Sequence, residues 1–517
     1  MAPDPGIPRP VRSAPARPSV RLALALTLAC AAACSNERPT PNVILISVDT
    51  LRADRTTPYG HVRDTTPALA RLAAEGTLFE RAYAMSSWTL PSMSMLMTGE
   101  FKPLADQAIL PAHESVGESF KKAGYRTAGV AANPLLSEEV GYDKGLDFFV
   151  CSPPEDAIRW PARRVFDAGL GWLEDTDESG LPYFLWLHPT DPHAPYAPED
   201  GIAFHEPIDG EEERALALRS LEPQFAGGVA RANPELLTDK AWRRIRTQRD
   251  LYDSDVLQFD RQLQRLIDLL EERGELDSTI IVVTSDHGEG LWQRAANPDE
   301  KDQNIVFPGL YDSHGAQLYE EQIRVPLVFR GPGVPRGVRV PEPVDLVDVT
   351  PSLLALADVP VSRMYDGTPL FDGGRVDLPD QDVIISVCSR LRTITLDGRW
   401  RLYEPREYRI NKELVEVRLY DLENDPLELS PIDDPALTAD LRARLAAWHE
   451  EHAPEGISHD TMTPERMRLL FSLGYGGETQ HVIQFRESLE RQAAEEAAAA
   501  KAASGVEEEP DAEGAGG

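Results

Sequence analysis

Two stretches of this chain, VILISVD (43–49) and TIIVVTSD (279–286), are runs of Val and Ile that stop abruptly at an aspartate. Such a run predicts a strand buried on both faces, as in a parallel sheet, that delivers a carboxylate at its C-terminal edge. Elsewhere the apolar positions switch to helical spacing. TTPALARLAAEGTLFERAYA predicts a helix opened by Thr65 or Thr66, with Pro67 in its first turn and Gly76 as a stop. YDSDVLQFDRQLQRLIDLLEERGELDST predicts a second, burying Val256, Leu257, Leu263, Ile267 and Leu270 and ending at Gly274. VDLVDVTPSLLALADV (344–359) predicts a closing helix. This alternation, from Pro41 to about Leu370, predicts a layered α/β domain.

Two segments break the pattern. Residues 204–248 have weak periodicity and read as an insertion capping the sheet, and a second insertion runs from Trp292 to Tyr311. From about Asp382 to Asp425 the short runs VIISVCS, RTITLDGRWRLYE and EVRLYDLEND predict a small antiparallel sheet, with the helix ALTADLRARLAAWHEEH beside it. The expected divisions are a large domain over 41–380, a C-terminal α+β subdomain over 381–477 and an acidic, low-complexity tail over 478–517. There is no internal repeat.

The N-terminus reads as targeting rather than fold. Arg9, Arg12, Arg17 and Arg21 precede an apolar stretch, Leu22 to Ala33, too short for a usual membrane span. It runs into AAAC, so residues 1–34 resemble a bacterial lipoprotein signal with cleavage before Cys34 and a lipid on its thiol; Cys30 is a second possible site. Residues 35–40 then form a tether. The expectation is an extracytoplasmic protein, at the periplasm or cell surface, that meets the membrane through this lipid only. Cys151 and Cys388 are the other cysteines, expected as unpaired thiols.

Composition narrows the partners. The 517 residues are 42% hydrophobic, enough for a globular core, and the formal net charge is −34. A chain this acidic has no basic face for phosphate backbones, which argues against nucleic acid. An anionic substrate would need a locally positive pocket. The sequence is silent on oligomeric state.

The candidate chemistry supplies one. Besides the two aspartate-terminated strands, SSWTLPSMSMLMTG (86–99), TDPHAPY (190–196) and DSHG (312–315) carry hydroxyls, carboxylates and imidazoles suited to one buried site. Several carboxylates gathered at a strand edge repel one another unless a cation neutralises them, so the set points to a metal centre. Asp49, Asp286 and His287 are the expected protein ligands, with the Thr89 oxygen as a fourth. An imidazole favours zinc or manganese over calcium, which stays possible. His188, at the end of an apolar run, reads as a buried structural histidine. Arg52 either pairs with a bound anion or makes an exposed salt bridge.

PNVILISVDTLRAD, TTPALARLAAEGTLFERAYA, SDHGE and HGAQLYEEQIRVPLVFRGPG, taken in that order, resemble the sulfatase family of the alkaline phosphatase-like superfamily over roughly residues 41–475. The resemblance implies a three-layer sandwich with a mixed, mostly parallel sheet, and a metal-dependent hydrolase of anionic esters. Thr89 falls where family members carry a cysteine or serine that is oxidised to formylglycine, and Met93 stands where the signature has arginine. Threonine cannot undergo that oxidation, but its oxygen can attack directly, as in superfamily phosphodiesterases; the alternative is a simple helix cap. His193 and His314 are implied to hold substrate oxygen and protonate the leaving group, and Asp191 to touch substrate. Asp191, His193 and His314 could instead hold a second metal. The expected activity is hydrolysis of sulfate or phosphate esters. The alternatives are a phosphodiesterase or phospho-group transferase acting on envelope glycans or lipids, and a catalytically inactive binding lipoprotein.

Overall fold

A computed structural model describes residues 40–452, apart from 102–112, 154–159, 176–179, 205–213, 215–237, 295–309, 362, 380–381, 389–390, 406–408, 411–412 and 415–416. The expected signal, both lipidation candidates and the acidic tail lie outside the described residues, as does most of each insertion. No helix among the described residues is long and apolar enough to cross a membrane.

Nine strands form the main sheet: β1 (Asn42–Val48), β2 (Thr77–Tyr83), β3 (Arg126–Ala131), β4 (Phe148–Cys151), β5 (Tyr183–His188), β6 (Thr279–Ser285), β7 (Arg324–Val325), β8 (Leu327–Arg330) and β9 (Val338–Asp345). Their order is β4-β3-β5-β1-β6-β8-β2-β7, with β9 also on β2. The five strands from β4 to β6 run parallel, and β8 reverses direction beside β6. The sheet is therefore mixed and mostly parallel, and β1 lies at its centre.

Alternation along β1 divides the core. Ile44, Ile46 and Val48 face one layer, made by α1 (Pro67–Glu75), α4 (Ala162–Asp175) and α5 (Asp239–Glu272). Val43 and Leu45 face the other, made by α2 (Thr89–Thr98), α3 (Val116–Lys122) and α7 (Val349–Leu356). A strand covered on both sides needs apolar residues at every position, which is why VILISV reads as a continuous run. The short α6 (Glu320–Ile323) leads into β7.

One helix expectation is met and one changes. In TTPALARLAAEGTLFERAYA the helix stops at Gly76, as expected, and TLFERAY beyond it is β2. Thr66 stands at the cap position but its side chain makes no capping bond, its Oγ1 accepting from Thr57 N at 2.8 Å; the first amides of α1 instead donate to the Asp260 carboxylate, Ala68 N at 2.8 Å and Leu69 N at 2.9 Å. Helix α5 begins at Asp239, capped by Thr238, inside the stretch expected as an insertion. Leu257 is half-buried, while the other four named positions are buried.

The C-terminal subdomain is a four-stranded antiparallel sheet, β10 (Val383–Val387), β11 (Leu391–Leu396), β12 (Trp400–Pro405) and β13 (Arg418–Asp421). Helix α8 (Pro435–Glu451) packs on it through Leu441 and Leu445. Neither Cys151 nor Cys388 is in a disulfide.

Candidate metal centre and active site

Parallel pairing of β1 with β6 sets Val48 opposite Ser285, so Asp49 and Asp286 leave the sheet side by side. On the other flank of β1, β5 ends in His188. Ligand atoms of Asp49, His188 and Asp286 all lie within 4.8 Å of one another, the one such group among the described residues. All three residues are buried, and Asp49 Oδ1, Asp286 Oδ2 and His188 Nε2 have no hydrogen-bond partner. Buried polar atoms are normally paired, and three unpaired acceptors facing one space fit a divalent cation.

His188 is buried, as the sequence reading had it, and it also lies in this three-residue group. Its Nδ1 pairs with Ser47 Oγ at 2.9 Å, and Trp186 Nε1 donates to the same oxygen at 2.9 Å, which fixes the ring. The other oxygens of the two carboxylates are held by protein donors. Asn133 Nδ2 donates to Asp49 Oδ2 at 2.8 Å, while Asp286 Oδ1 accepts from Thr50 N at 3.1 Å and His287 N at 2.8 Å. Thr50 has a left-handed backbone, φ 58°, rare for a β-branched residue. Tyr252 Oη pins it by donating to the Thr50 carbonyl at 2.8 Å. That strained corner turns the chain directly after Asp49.

Burial and the Asp49 charge push Asp286 up to about 7. Asp49 moves the other way: burial would raise it, but His193, His188 and His287 together hold it well below the usual carboxylate range. Two adjacent carboxylates whose pKa values separate in this way share one negative charge in the absence of a cation.

Thr89 is the first residue of α2, and its N-cap is Trp88. Its Oγ1 bonds to His287 Nε2 at 3.1 Å, so it is not the helix cap. His287 Nδ1 faces the Gly288 carbonyl at 2.9 Å, which can only accept, so Nδ1 carries the proton and the Nε2 lone pair faces the Thr89 hydroxyl. Burial pushes His287 down to about 4, so the ring is neutral. Its Nε2 also lies 3.4 Å from Asp286 Oδ2 and 4.0 Å from Asp49 Oδ1, beside the three-residue group. Ser92 Oγ, one turn into α2, donates to the Asp286 carbonyl at 2.6 Å and ties the helix to this corner.

The remaining histidines line the same space. The His314 ring lies 4.5 Å from that of His287 and 5.0 Å from that of His193. Glu289, which the sequence reading left without a role, is buried with Oε1 at 3.2 Å and Oε2 at 3.4 Å from His314 Nδ1. Burial pushes Glu289 up to about 8 and His314 down to about 3, so each favours its neutral form.

Two expectations are overturned. Asp191 does not join His193 and His314 as a second metal set: its Oδ2 accepts from Ala162 N, opening α4, and its Oδ1 from Gln258 Nε2 at 3.4 Å. Arg52 is not free for an anion, while the salt-bridge reading stands, with the exposed Asp54 as partner. It is buried, bonds both Asp54 oxygens at 2.8 and 2.6 Å, and donates to the Glu289 carbonyl at 3.0 Å and Gln293 Oε1 at 2.9 Å. It braces the segment that follows His287. Asn133 and Glu289 carried only a weak signal: each is a polar residue beside an apolar run or a motif.

Comparison with known proteins places the chain in a family. A family model described as Sulfatase matches residues 41–359. The chain is 27% identical over 479 residues to a choline-sulfatase of Rhizobium meliloti, covering 80% of this chain and 87% of that one. It is 25% identical over 425 residues to an N-acetylglucosamine-6-O-sulfatase of Bacteroides thetaiotaomicron, covering 67% of this chain and 73% of that protein. Among solved structures, one in complex with its substrate D-glucosamine-2-N,6-O-disulfate superposes with a TM-score of 0.60 at 20% identity, over 80% of this chain and 98% of that chain. A phosphonate monoester hydrolase of Agrobacterium radiobacter gives 0.56 at 20% identity, over 80% and 96%. At these identities the structural likeness speaks to the fold.

Proposed function

Because the chain belongs to the sulfatase family, and is thereby a hydrolase of sulfate or phosphate esters, we propose that it works by direct attack of Thr89. The observation that carries this reading is the Thr89 hydroxyl 3.1 Å from His287 Nε2, beside three unpaired ligand atoms at the ends of β1, β5 and β6. Asp49, His188, Asp286 and His287 are the residues we assign to a divalent cation, with Thr89 on its open side. Two carboxylates and two imidazoles suit zinc or manganese better than calcium. When bound, the cation supplies positive charge that acidifies the threonine hydroxyl and screens the anionic ester.

The chain's own residues do the rest. Thr89 Oγ1, its proton released to water, forms the new bond to sulfur or phosphorus as the bond to the departing ester oxygen breaks, water then cleaves the Thr89 ester, and the N-terminus of α2 adds a positive dipole beneath it. His314, neutral, donates a hydrogen bond to a nonbridging oxygen, and His193 passes a proton to the departing ester oxygen. Glu289, against His314 Nδ1, orients that ring. We also place the protein outside the cytoplasm, tethered by a lipid on Cys34.

Threonine favours phosphorus over sulfur at such a site. An ordinary alkoxide attacking a sulfate monoester leaves a sulfated enzyme without the exit that a formylglycine hydrate provides. The likeness in fold to a phosphonate monoester hydrolase supports keeping phosphorus in view. Side-by-side assays of an aryl sulfate, a phosphate monoester, a phosphate diester and a phosphonate test the reading, using protein from a host lacking any formylglycine-generating enzyme. Thr89→Ala is expected to lose roughly 10³-fold or more in kcat, while Thr89→Ser keeps part of it. Full activity in Thr89→Ala would sink the nucleophile. No turnover on any class with metal bound would favour a binding lipoprotein.

A further inference from the structure

The C-terminal subdomain reaches the candidate metal centre through a buried ionic chain that begins at Glu428. This residue lies in the loop between β13 and α8, is buried, and has a left-handed backbone, φ 51°. Its Oε1 accepts from the Tyr403 hydroxyl at 2.6 Å and from Arg401 Nη1 at 3.2 Å. Its Oε2 accepts from the backbone N of Glu320 at 2.9 Å and lies 3.6 Å from Arg294 Nη2. The Glu428 carbonyl takes a further bond from Arg294 Nη1 at 3.3 Å.

From there two routes converge on α6. Arg294 Nη2 donates to Glu321 Oε2 at 2.9 Å, and its Nε donates to Glu321 Oε1. Arg401 Nη1 donates to Glu320 Oε2 at 2.7 Å. The backbone of α6 then receives the two amides that follow His287: Gly288 N donates to the Gln322 carbonyl at 2.8 Å, and Glu289 N to the Glu321 carbonyl at 3.2 Å. Gln322 Nε2 donates to the Ser313 carbonyl at 3.1 Å, next to His314. So α6 is the floor under both histidine segments, and Glu428 holds that floor from the subdomain side.

Stability alone does not account for this arrangement. Buried ion pairs seldom return more than their desolvation removes, compared with well-packed apolar side chains. Trp292, two residues before Arg294, is a third buried non-glycine residue in the left-handed region beside Thr50 and Glu428, φ 59°. Strain of this kind persists where the surroundings impose it and gathers at functional sites. We propose that Glu428 is a positioning residue, through which the C-terminal subdomain sets the His287 and His314 segments and so the affinity of the metal centre. This inference rests on the reading that the centre binds a divalent cation.

Zinc titration of the full-length chain against a chromophoric chelator, together with steady-state kinetics, tests it. Glu428→Gln and Arg294→Met are each expected to weaken zinc binding about ten- to hundredfold, the range for supporting partners of metal ligands. Both should lower kcat and raise KM, because the displaced His314 segment carries a substrate contact. The two act along one link, so the double variant should be no worse than the worse single. Leu445→Ala, in the packing of α8 on its sheet, serves as the control: it lowers thermal stability but should leave zinc affinity unchanged. If Glu428→Gln fails to fold, Arg294→Lys carries the same comparison. Folded variants that bind zinc like wild type, or a Leu445→Ala protein that loses zinc equally, would overturn the positioning role. Wild type that binds no zinc, manganese or calcium would overturn the metal reading itself, and this inference with it.

Discussion

Asp286→Asn should make the metal-free protein more stable and the metal-loaded protein less stable. Without a cation, Asp286 sits buried beside Asp49, and burial plus that neighbouring charge push it from 3.8 up to about 7. A native pKa above the unfolded one means the folded state holds its proton between about pH 4 and pH 7. Stability therefore falls as pH rises through that window, and the full penalty is present above it. At ~1.4 kcal/mol for each pKa unit, the penalty at pH 8 is on the order of a few kcal/mol. Asparagine removes the charge yet keeps an oxygen for the amides of Thr50 and His287, 3.1 and 2.8 Å away. Urea unfolding in EDTA at pH 8 should show the variant more stable than wild type, with the gap closing as pH falls toward 4. Saturating zinc should reverse the order, since a ligand at a thousandfold its Kd adds about 4 kcal/mol to the protein that binds it. A variant less stable than wild type in EDTA at pH 8, or an order that zinc leaves untouched, would refute the idea of an electrostatically frustrated apo site.

Two further outcomes follow from single positions. A methyl at Gly288 would overlap the Glu321 carbonyl oxygen, so Gly288→Ala should cost ~1–3 kcal/mol by overpacking and also weaken zinc binding, both read from unfolding curves with and without metal. If Cys34 carries the lipid, Cys34→Ser with the signal still cleaved should move the protein from the membrane pellet to the soluble extracytoplasmic fraction, and a processed variant that stays in the pellet would refute the anchor.

Much of the centre could be read from strand ends. An apolar run closed by a polar residue marks the C-terminal edge of a buried strand, and that rule located Asp49 and Asp286. The same rule applies to YFLWLH, which ends in His188, and to RTAGVAAN, which ends in Asn133. The first reads as a core histidine because an imidazole in an apolar run has an ordinary structural explanation. The second gives little signal because glycine and alanine weaken the strand pattern. What fails in the other direction is proximity along the chain. Asp191 and His193 share one loop, but the loop turns Asp191 toward the opening of α4 and leaves His193 beside His314. Arg52 follows Asp49 by three residues and ends up behind the His287 segment.

The start of α5 was hidden for a related reason. Trp242, Ile245, Arg249, Tyr252 and Val256 are all buried at helical spacing, but an arginine and a tyrosine interrupt the apolar pattern. Arg249 is tolerated there because its guanidinium bonds the Leu291 carbonyl at 2.8 and 2.7 Å, just past the metal-centre segment. Tyr252 is tolerated because its hydroxyl holds the strained Thr50. The residues that blurred the helix in the sequence are thus those that tie it to the site. Polarity placed on a buried face is the signature of residues recruited to hold a functional corner, and it obscures local pattern for that reason.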